Sequence, residues 1–301
     1  MPPQSQRPSL RSVLSSGQFV LAPGIFDMVS ARVADAIGFP ALYMTGYGVT
    51  ASHLGLPDAG LATYTDMVGR VRTICEGTVT PLIADADTGY GGLVNVRHTV
   101  RGYERAGAQG IQIEDQEMPK KCGHTPGRRV IPAEEMVLKI KVALDSRESE
   151  DTLIVARTDA RTSLGLDEAL RRAEAYARAG ADVIFVESPE SEAEMARIGQ
   201  AIDKPLLANM VQFGRTPIIP ADRLRALGFS IAIYPGLALA AVAEAARRTF
   251  LHLKEAGSSD GINVPLYDEK TSGQSLHALM GFPDIWAFEQ KWQLPAPKAA
   301  E

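Results

Sequence analysis

Eight short apolar runs, each followed by a stretch of helical period, constrain this chain more than any other feature. The runs are Phe19–Ala22, Ala41–Gly46, Pro81–Asp87, Gly110–Asp115, Leu153–Asp159, Val183–Ser188, Pro205–Met210 and Ser230–Pro235. Continuous apolar runs of this length suit parallel strands covered on both faces. Segments of helical period lie between and after them, at Val29–Ile37, Tyr64–Cys75, Val94–Ala106, Pro132–Asp145, Leu166–Ala179, Ser191–Ile202, Pro220–Leu227 and Leu237–Lys254. Start signals support several, such as Pro132 before Glu134-Glu135 and Pro220 before Asp222. An internal echo points to a repeated unit. Tyr103-Glu104-Arg105-Ala106-Gly107-Ala108 and Tyr176-Ala177-Arg178-Ala179-Gly180-Ala181 both end a helix at Gly and turn directly into a strand.

Eight β-then-α units in series predict an α/β fold of the (β/α)8, TIM-type barrel class. An open doubly wound sheet is the alternative, but no Gly-x-Gly-x-x-Gly follows the first strand. The expected organisation is one domain over residues 1–301, with residues 261–292 as a C-terminal helical extension. Leu276–Trp292 reads as one helix with Leu276, Leu279, Met280, Ile285, Trp286 and Phe288 on an apolar face. Such a helix outside a complete barrel needs another surface, most simply a neighbouring subunit. Ala296–Glu301 reads as a frayed tail.

A hydrophobic content of 45% with 22% charged residues is ordinary for a globular protein, and a net charge of −5 without a basic stripe gives no reason to expect a nucleic-acid partner. Two cysteines, Cys75 and Cys122, make no disulfide framework and fit a reducing compartment. The polar Met1–Arg11 segment has no signal-peptide core, and no apolar stretch reaches membrane-span length. The expectation is a soluble, cytoplasmic protein with no membrane partner.

In such a barrel the chemistry sits at the C-terminal ends of the strands. The residues there are Tyr43, Thr45, Gly46, Asp85, Asp87, Glu114, Arg157, Asp159, Glu187 and Asn209. Asp85 and Asp87, two apart, are expected to share a strand face. One isolated Asp is more often a cap or a surface ion pair. Acids from three strands meeting at one mouth repel unless something positive sits among them. A hard cation bound through oxygens and retaining waters fits, Mg2+ first and Mn2+ second. Arg157 suits bidentate binding of a substrate carboxylate. Thr45-Gly46 suggests a loop offering backbone N–H groups to an anion.

After the fourth run comes Lys120-Lys121-Cys122-Gly123-His124, in a loop rich in Gly, Pro and base. Most free cysteines are buried and structural, but these polar surroundings count against burial. The neighbouring cations are expected to lower the thiol's pKa. A movable thiol, a metal and an arginine clamp together suit chemistry alpha to a carbonyl or carboxylate. A barrel without catalysis that binds a metabolite is the alternative from a different class, and it gives no reason to gather repelling acids.

From Leu10 to Trp292 the chain resembles the isocitrate lyase/phosphoenolpyruvate mutase superfamily. The motifs that carry the resemblance are Leu56-Pro57-Asp58, Asp85-Ala86-Asp87-Thr88-Gly89-Tyr90-Gly91, Ile113-Glu114-Asp115-Gln116, Lys120-Lys121-Cys122-Gly123-His124 and Ala156-Arg157-Thr158-Asp159-Ala160. The resemblance implies Mg2+ held by Asp85, with Asp58, Asp87 and Glu114 acting mainly through waters. It implies catalytic roles for Cys122, Tyr43, Arg157, Glu187 and His124, and substrate contacts from Thr45, Gly46, Tyr47, Gly123 and Asn209. It also implies a loop closing Cys122 over a small dicarboxylate, and a homotetramer, a dimer of dimers, that exchanges C-terminal helices. Cys-Gly-His looks like the lyase branch. Methylisocitrate lyases hold a third carboxylate with extra late arginines, whereas here Tyr234–Ala240 contains none and no arginine follows Arg248. An unpaired third carboxylate would be costly to desolvate. The chain is thus expected to cleave a substituted malate of the 2,3-dimethylmalate type to a 2-oxo acid and a carboxylate. Tyr43, or a metal-linked group near it, would take the hydroxyl proton, and Cys122 would protonate the leaving enolate. Oxaloacetate hydrolase, which shares the cysteine loop, is the nearest alternative, and methylisocitrate lyase a further one.

Overall fold

The computed structural model describes residues 8–262 and 275–292. The expected tail at Ala296–Glu301 and part of the expected extension lie outside them. Eight parallel strands close into a barrel, β1 pairing with β8 as well as with β2. They are β1 (Val20–Ile25), β2 (Leu42–Met44), β3 (Leu82–Asp85), β4 (Gly110–Glu114), β5 (Leu153–Thr158), β6 (Val183–Val186), β7 (Leu206–Asn209) and β8 (Ile231–Tyr234). Each overlaps one of the apolar runs, β1 continuing past Ala22 to Ile25.

The helices are α1 (Leu10–Ser15), α2 (Met28–Ile37), α3 (Gly46–Val49, running on into a π-turn at Thr50–Leu54), α4 (Tyr64–Gly77), α5 (Leu93–Ala106) and α6 (Ala133–Ser146). After these come α7 (Ala160–Leu164), α8 (Leu166–Arg178), α9 (Glu192–Ala201), α10 (Ala221–Ala226) and α11 (Leu237–Ala256). α12 (Leu276–Leu279) and α13 (Phe282–Lys291) replace the single helix expected over Leu276–Trp292. The break falls at Gly281, whose φ of 91° cannot continue a right-handed helix. The echoed units behave as their sequence implies: Gly107 and Gly180 take φ of 102° and 105° where α5 and α8 stop before β4 and β6.

Successive strand residues feed two different cores. Val20, Ala22, Tyr43, Ile83, Val155, Val183, Phe185, Leu207, Ile231 and Ile233 form one buried cluster with Leu10. Their neighbours Leu42, Met44, Leu82, Ala84, Ile154 and Ile184 pack in the other, with residues of the helices. Leu10 joins the first cluster because α1 lies under the N-terminal ends of the strands, where its backbone N–H donates to Gln109 Oε1 just before β4. That end is closed, so the chemistry belongs at the other.

The chain divides into two compact units, Met1–Ala243 and Glu244–Glu301. The first holds all eight strands. In the second, Phe250, Ile285, Trp286, Phe288 and Trp292 are exposed. Among the described residues no helix is long and apolar enough to cross a membrane.

Gly199, inside α9, marks how closely α10 approaches. Alanine in a helix interior is usually favoured over glycine by about 1 kcal/mol. Here an added Cβ would lie 1.7 Å from the Leu227 carbonyl oxygen. Overpacking of about 1–3 kcal/mol should outweigh the helical gain. Gly199→Ala is therefore expected to lower the midpoint of a thermal melt, and an unchanged or raised midpoint would show that this contact does not set the spacing.

Candidate active site

The C-terminal ends of the strands deliver Tyr43 (β2), Asp85 (β3), Glu114 (β4) and Arg157 (β5), with Glu187 just beyond β6 and Asn209 at the end of β7. Register brings Glu114 opposite Arg157 and Asp85 opposite Gln112. Tyr43, Asp85, Arg157, Glu187 and Asn209 line a cavity of about 160 Å³ together with Thr45, Tyr47, Asp58, Cys122, Gly123 and His124. Gly46, Asp87 and Glu114 do not line it but touch residues that do. The Gly46 backbone N–H donates to Asp85 Oδ2 at 3.3 Å and that of Asp87 to Asp85 Oδ1 at 3.0 Å, while Glu114 Oε2 lies 3.4 Å from Arg157 Nε. The Gly46 amide thus faces an acid of the chain itself, not an open anion site.

Asp85 and Asp87 do converge, but not through the pleat of one strand. β3 ends at Asp85, and Asp87 has a φ of 48°, so the chain folds back on itself. A cation does sit among the acids. Lys120, expected to act on the thiol, instead places Nζ 2.5 Å from Asp58 Oδ1 and 2.6 Å from Asp87 Oδ1. Burial favours loss of its proton, but Asp87, Glu114 and Asp58 overcome this and hold the ammonium well above its usual pKa. Asp87 is pushed up to about 6, because burial and repulsion from Asp85 and Asp58 outweigh Lys120.

Arg157 is shared among three carboxylates. Its Nε and Nη2 donate to Asp159 Oδ2 and Oδ1 at 2.8 and 2.9 Å, and Nη2 lies 3.3 Å from Glu187 Oε2. Its guanidinium lies over the Phe185 ring, 5.0 Å from the centroid. Burial would weaken its charge, but Asp159, Glu114 and Glu187 fix it. Glu187 is fully buried, accepting from the Ser188 backbone at 2.7 Å and from Asn209 Nδ2 at 3.0 Å. Burial drives Glu114 well above the carboxylate range in spite of Arg157.

The loop places Cys122 and His124 over these groups. Ser188 Oγ donates to the Gly123 carbonyl at 3.1 Å, and Asn209 Nδ2 lies 3.3 Å from His124 Nε2. The expected lowering of the Cys122 pKa does not occur. Burial raises it, the His124 backbone N–H offsetting only part, since Lys120 has turned to the acids. Burial also lowers His124, so its imidazole is neutral near pH 7 and adds no positive charge beside the thiol. Tyr43 is likewise altered. Burial and the Asp85 charge push its phenol well above its usual pKa, and it donates to Gln112 Oε1 at 3.1 Å. Both effects favour the protonated phenol, which counts against Tyr43 itself and leaves a metal-linked group near it as the acceptor of a hydroxyl proton.

Several site residues escaped the sequence reading of roles. Sequence adjacency points Lys120 at the thiol and gives no role to Gln112, Ser188, Arg128 or Asp115. The spacing Arg157-Thr158-Asp159 does carry a signal, because residues two apart on a strand share a face. An apolar wall of Val211, Ile233 and Pro235 was also missed. Among the described residues, no group of three or more His, Cys, Asp or Glu side chains forms a ready-made metal cage.

The family profile described as phosphoenolpyruvate phosphomutase matches residues 10–254. The chain is 49% identical over 283 residues to 2,3-dimethylmalate lyase of Eubacterium barkeri, covering 94% of this chain and 96% of that protein. It is 41% identical over 281 residues to 2-methylisocitrate lyase of Aeropyrum pernix, covering 93% and 89%. Among solved structures, oxaloacetate acetylhydrolase bound to 3,3-difluorooxalacetate superposes with a TM-score of 0.90 at 35% identity, over 99% of this chain and 100% of that one. The chain belongs to the phosphoenolpyruvate mutase/isocitrate lyase superfamily of enzymes.

Lys120 offers a direct test of the buried charges. Removing one partner of a buried ion pair costs about 3–5 kcal/mol, so Lys120→Met should lose stability of that order in urea melts run in EDTA. A carboxyl whose folded pKa is raised destabilises only once ionised. The loss should accordingly be larger at pH 8 than at pH 5; equal losses at both would disconnect Lys120 from Asp58 and Asp87.

Proposed function

We propose that this enzyme is a Mg2+-dependent carbon–carbon lyase that cleaves a substituted malate to a 2-oxo acid such as pyruvate and a carboxylate. The observation that carries this reading is that Cys122, whose pKa burial raises, lines the same small cavity as Arg157 and the Asp58 and Asp85 carboxylates. An acid for carbon therefore stands in one cavity with groups able to hold and deprotonate a 2-hydroxy acid.

The residues fit a hard cation. Any Cβ at position 46 would lie 2.7 Å from Asp85 Oδ2, so the space beside that oxygen is kept open, and Glu114 Oε1 is buried without a hydrogen-bond partner. Asp85 would hold Mg2+, or Mn2+, with Asp58, Asp87 and Glu114 acting mainly through waters, as suits an ion that keeps much of its hydration. When bound, it would supply positive charge for the carboxylate and 2-oxygen of the substrate.

Arg157 draws a substrate carboxylate to the N–H groups of its guanidinium that Asp159 leaves free, since Asp159 already takes Nε and Nη2. Tyr43 and Asn209 donate hydrogen bonds, Thr45, Tyr47 and Gly123 complete the contacts, and Gly46 acts through Asp85. The hydroxyl proton passes to a carboxylate oxygen of Asp58 or Asp85, C2 becomes a carbonyl carbon as the C2–C3 bond breaks, and the bonding pair moves to C3. Cys122 Sγ–H then protonates C3, with His124 and Glu187 fixing the loop over the substrate. Val211, Ile233 and Pro235 suit alkyl substituents, and Arg157 is the single guanidinium lining the cavity among the described residues. A third carboxylate would find no such partner, which disfavours methylisocitrate.

The exposed Ile285, Trp286, Phe288 and Trp292 support a homotetramer in which α13 is covered by another subunit. Sedimentation should give about four chains per particle, and replacing Trp286 and Phe288 with Ser should shift it to smaller species; a monomeric native protein would refute the assembly.

The functional reading is checked by Mg2+-dependent product release from malate, 2-methylmalate, 2,3-dimethylmalate, 2-methylisocitrate and oxaloacetate. Pyruvate from a substituted malate and none from methylisocitrate is the expected result. Oxalate and acetate from oxaloacetate alone would make the enzyme a hydrolase, the reading favoured by its likeness to oxaloacetate acetylhydrolase. Cys122→Ser should reduce turnover about 10²–10⁴-fold with Mg2+ affinity nearly unchanged; full activity would remove the thiol from the mechanism.

A further inference from the structure

We propose that Arg128 is a positioning residue that couples closure of the loop carrying Cys122 to the hold of Arg157 on the substrate, with Asp159 as their shared acceptor. The inference rests on Arg157 being the substrate clamp of the reaction proposed above.

The loop leaves the barrel after β4 and returns to α6. Its two limbs pair at the base, where Gln116 bridges to Val130, the Glu117 N–H donates to the Arg129 carbonyl at 2.9 Å and the Ile131 N–H to the Asp115 carbonyl at 2.9 Å. Above that base each limb sends one buried cation into the barrel. The outgoing limb sends Lys120 to Asp58 and Asp87. The returning limb sends Arg128, whose side chain is 1% exposed.

The hydrogen bonds of Arg128 both end on the segment that follows Arg157. Nη1 donates to Asp159 Oδ1 at 2.6 Å and Nη2 to Thr162 Oγ1 at 2.6 Å, while Nε is buried without a partner. A guanidinium so placed is fixed by Asp159 and has no reason to be buried without it. Asp159 is itself anchored. Its backbone N–H donates to Asp115 Oδ1 at 2.9 Å, and Asp115 Oδ2 accepts from Thr158, Tyr176 and Arg172 at 2.7, 2.7 and 3.0 Å.

The same Asp159 carboxylate takes both nitrogens of the Arg157 fork, and Oδ1 is common to the two arginines. Arg157 also faces Glu114 and Glu187, but Asp159 is the acceptor it has in common with Arg128, and one carboxylate cannot neutralise both guanidiniums. With Arg128 seated, part of the Asp159 charge is committed to the loop, and Arg157 keeps more of its pull on an incoming carboxylate. With Arg128 withdrawn, Asp159 becomes a full counterion of Arg157 and competes with the substrate. Closure of the loop thus strengthens the clamp at the moment Cys122 comes over the substrate.

The test uses the full-length enzyme with Mg2+ and the variants Arg128→Met and Arg128→Lys, the second keeping the charge but losing the fork. Calorimetric titration with oxalate reads the clamp without reference to the true substrate; hydrogen exchange over residues 118–129 reads the loop. In Arg128→Met, oxalate binding should weaken about tenfold, within the usual range of coupling between sites. Loop amides should exchange faster, and kcat/KM should fall chiefly through KM. Arg128→Lys should lie between wild type and Arg128→Met. Oxalate binding within twofold of wild type in Arg128→Met overturns the proposal, as does Arg128→Lys behaving like Arg128→Met, which would reduce Arg128 to packing. If Arg128→Met does not fold, Arg128→Lys decides, and binding equal to wild type overturns. Absence of oxalate binding to the wild type removes the clamp and the coupling together. If no substituted malate releases pyruvate while oxalate binds, the functional reading falls and the titration still decides on Arg128.

Discussion

Arg157 can sit buried at the barrel mouth because three carboxylates divide its charge, and most of the catalytic end is arranged by that sharing. An isolated guanidinium in this setting would face a desolvation cost of several kcal/mol. Asp159 supplies the bidentate partner, Glu114 stands opposite in register on β4, and Glu187 approaches from beyond β6. Each of those acids would in turn be untenable if ionised alone. The strands therefore fix one network rather than a set of independent residues, and a change at one member should be felt at the others.

The loop bearing Cys122 belongs to the same network. Its outgoing limb contributes the ammonium that the Asp58–Asp87 pair requires, and its returning limb contributes the guanidinium that shares Asp159. The tip is held through the Gly123 carbonyl and His124. The loop thus carries two buried positive charges into the barrel. The loop is held by charge as well as by packing, and burial raises the pKa of the thiol it carries.

The cavity has two chemical faces. One is lined by Asp58, Asp85, Arg157 and Glu187, the other by Val211, Ile233 and Pro235. A substrate with acidic groups at one side and alkyl carbon at the other satisfies both without leaving a buried polar group unpaired. This division is the ground of the substituted-malate proposal, and it depends on strands β7 and β8 as much as on the acids of β3 to β5.

The sequence by itself determined the barrel. Eight apolar runs with helical segments after them admit few other solutions, and the glycines ending α5 and α8 fixed two of the turns. It also supplied the roster of ionisable groups at the strand ends, since strand order and direction follow from that pattern. The tertiary structure alone decided how those groups pair. Lys120 precedes Cys122 by two residues yet serves Asp58 and Asp87; Asp85 and Asp87 meet through a left-handed turn, not a shared face; Arg128 meets Asp159 across 31 positions of chain. The protonation of Tyr43, Cys122 and His124 was equally hidden, because burial is the largest influence on each. Local pattern fixes where backbone hydrogen bonds run, whereas charge and desolvation depend on distances through space, and these exist only once the barrel has closed.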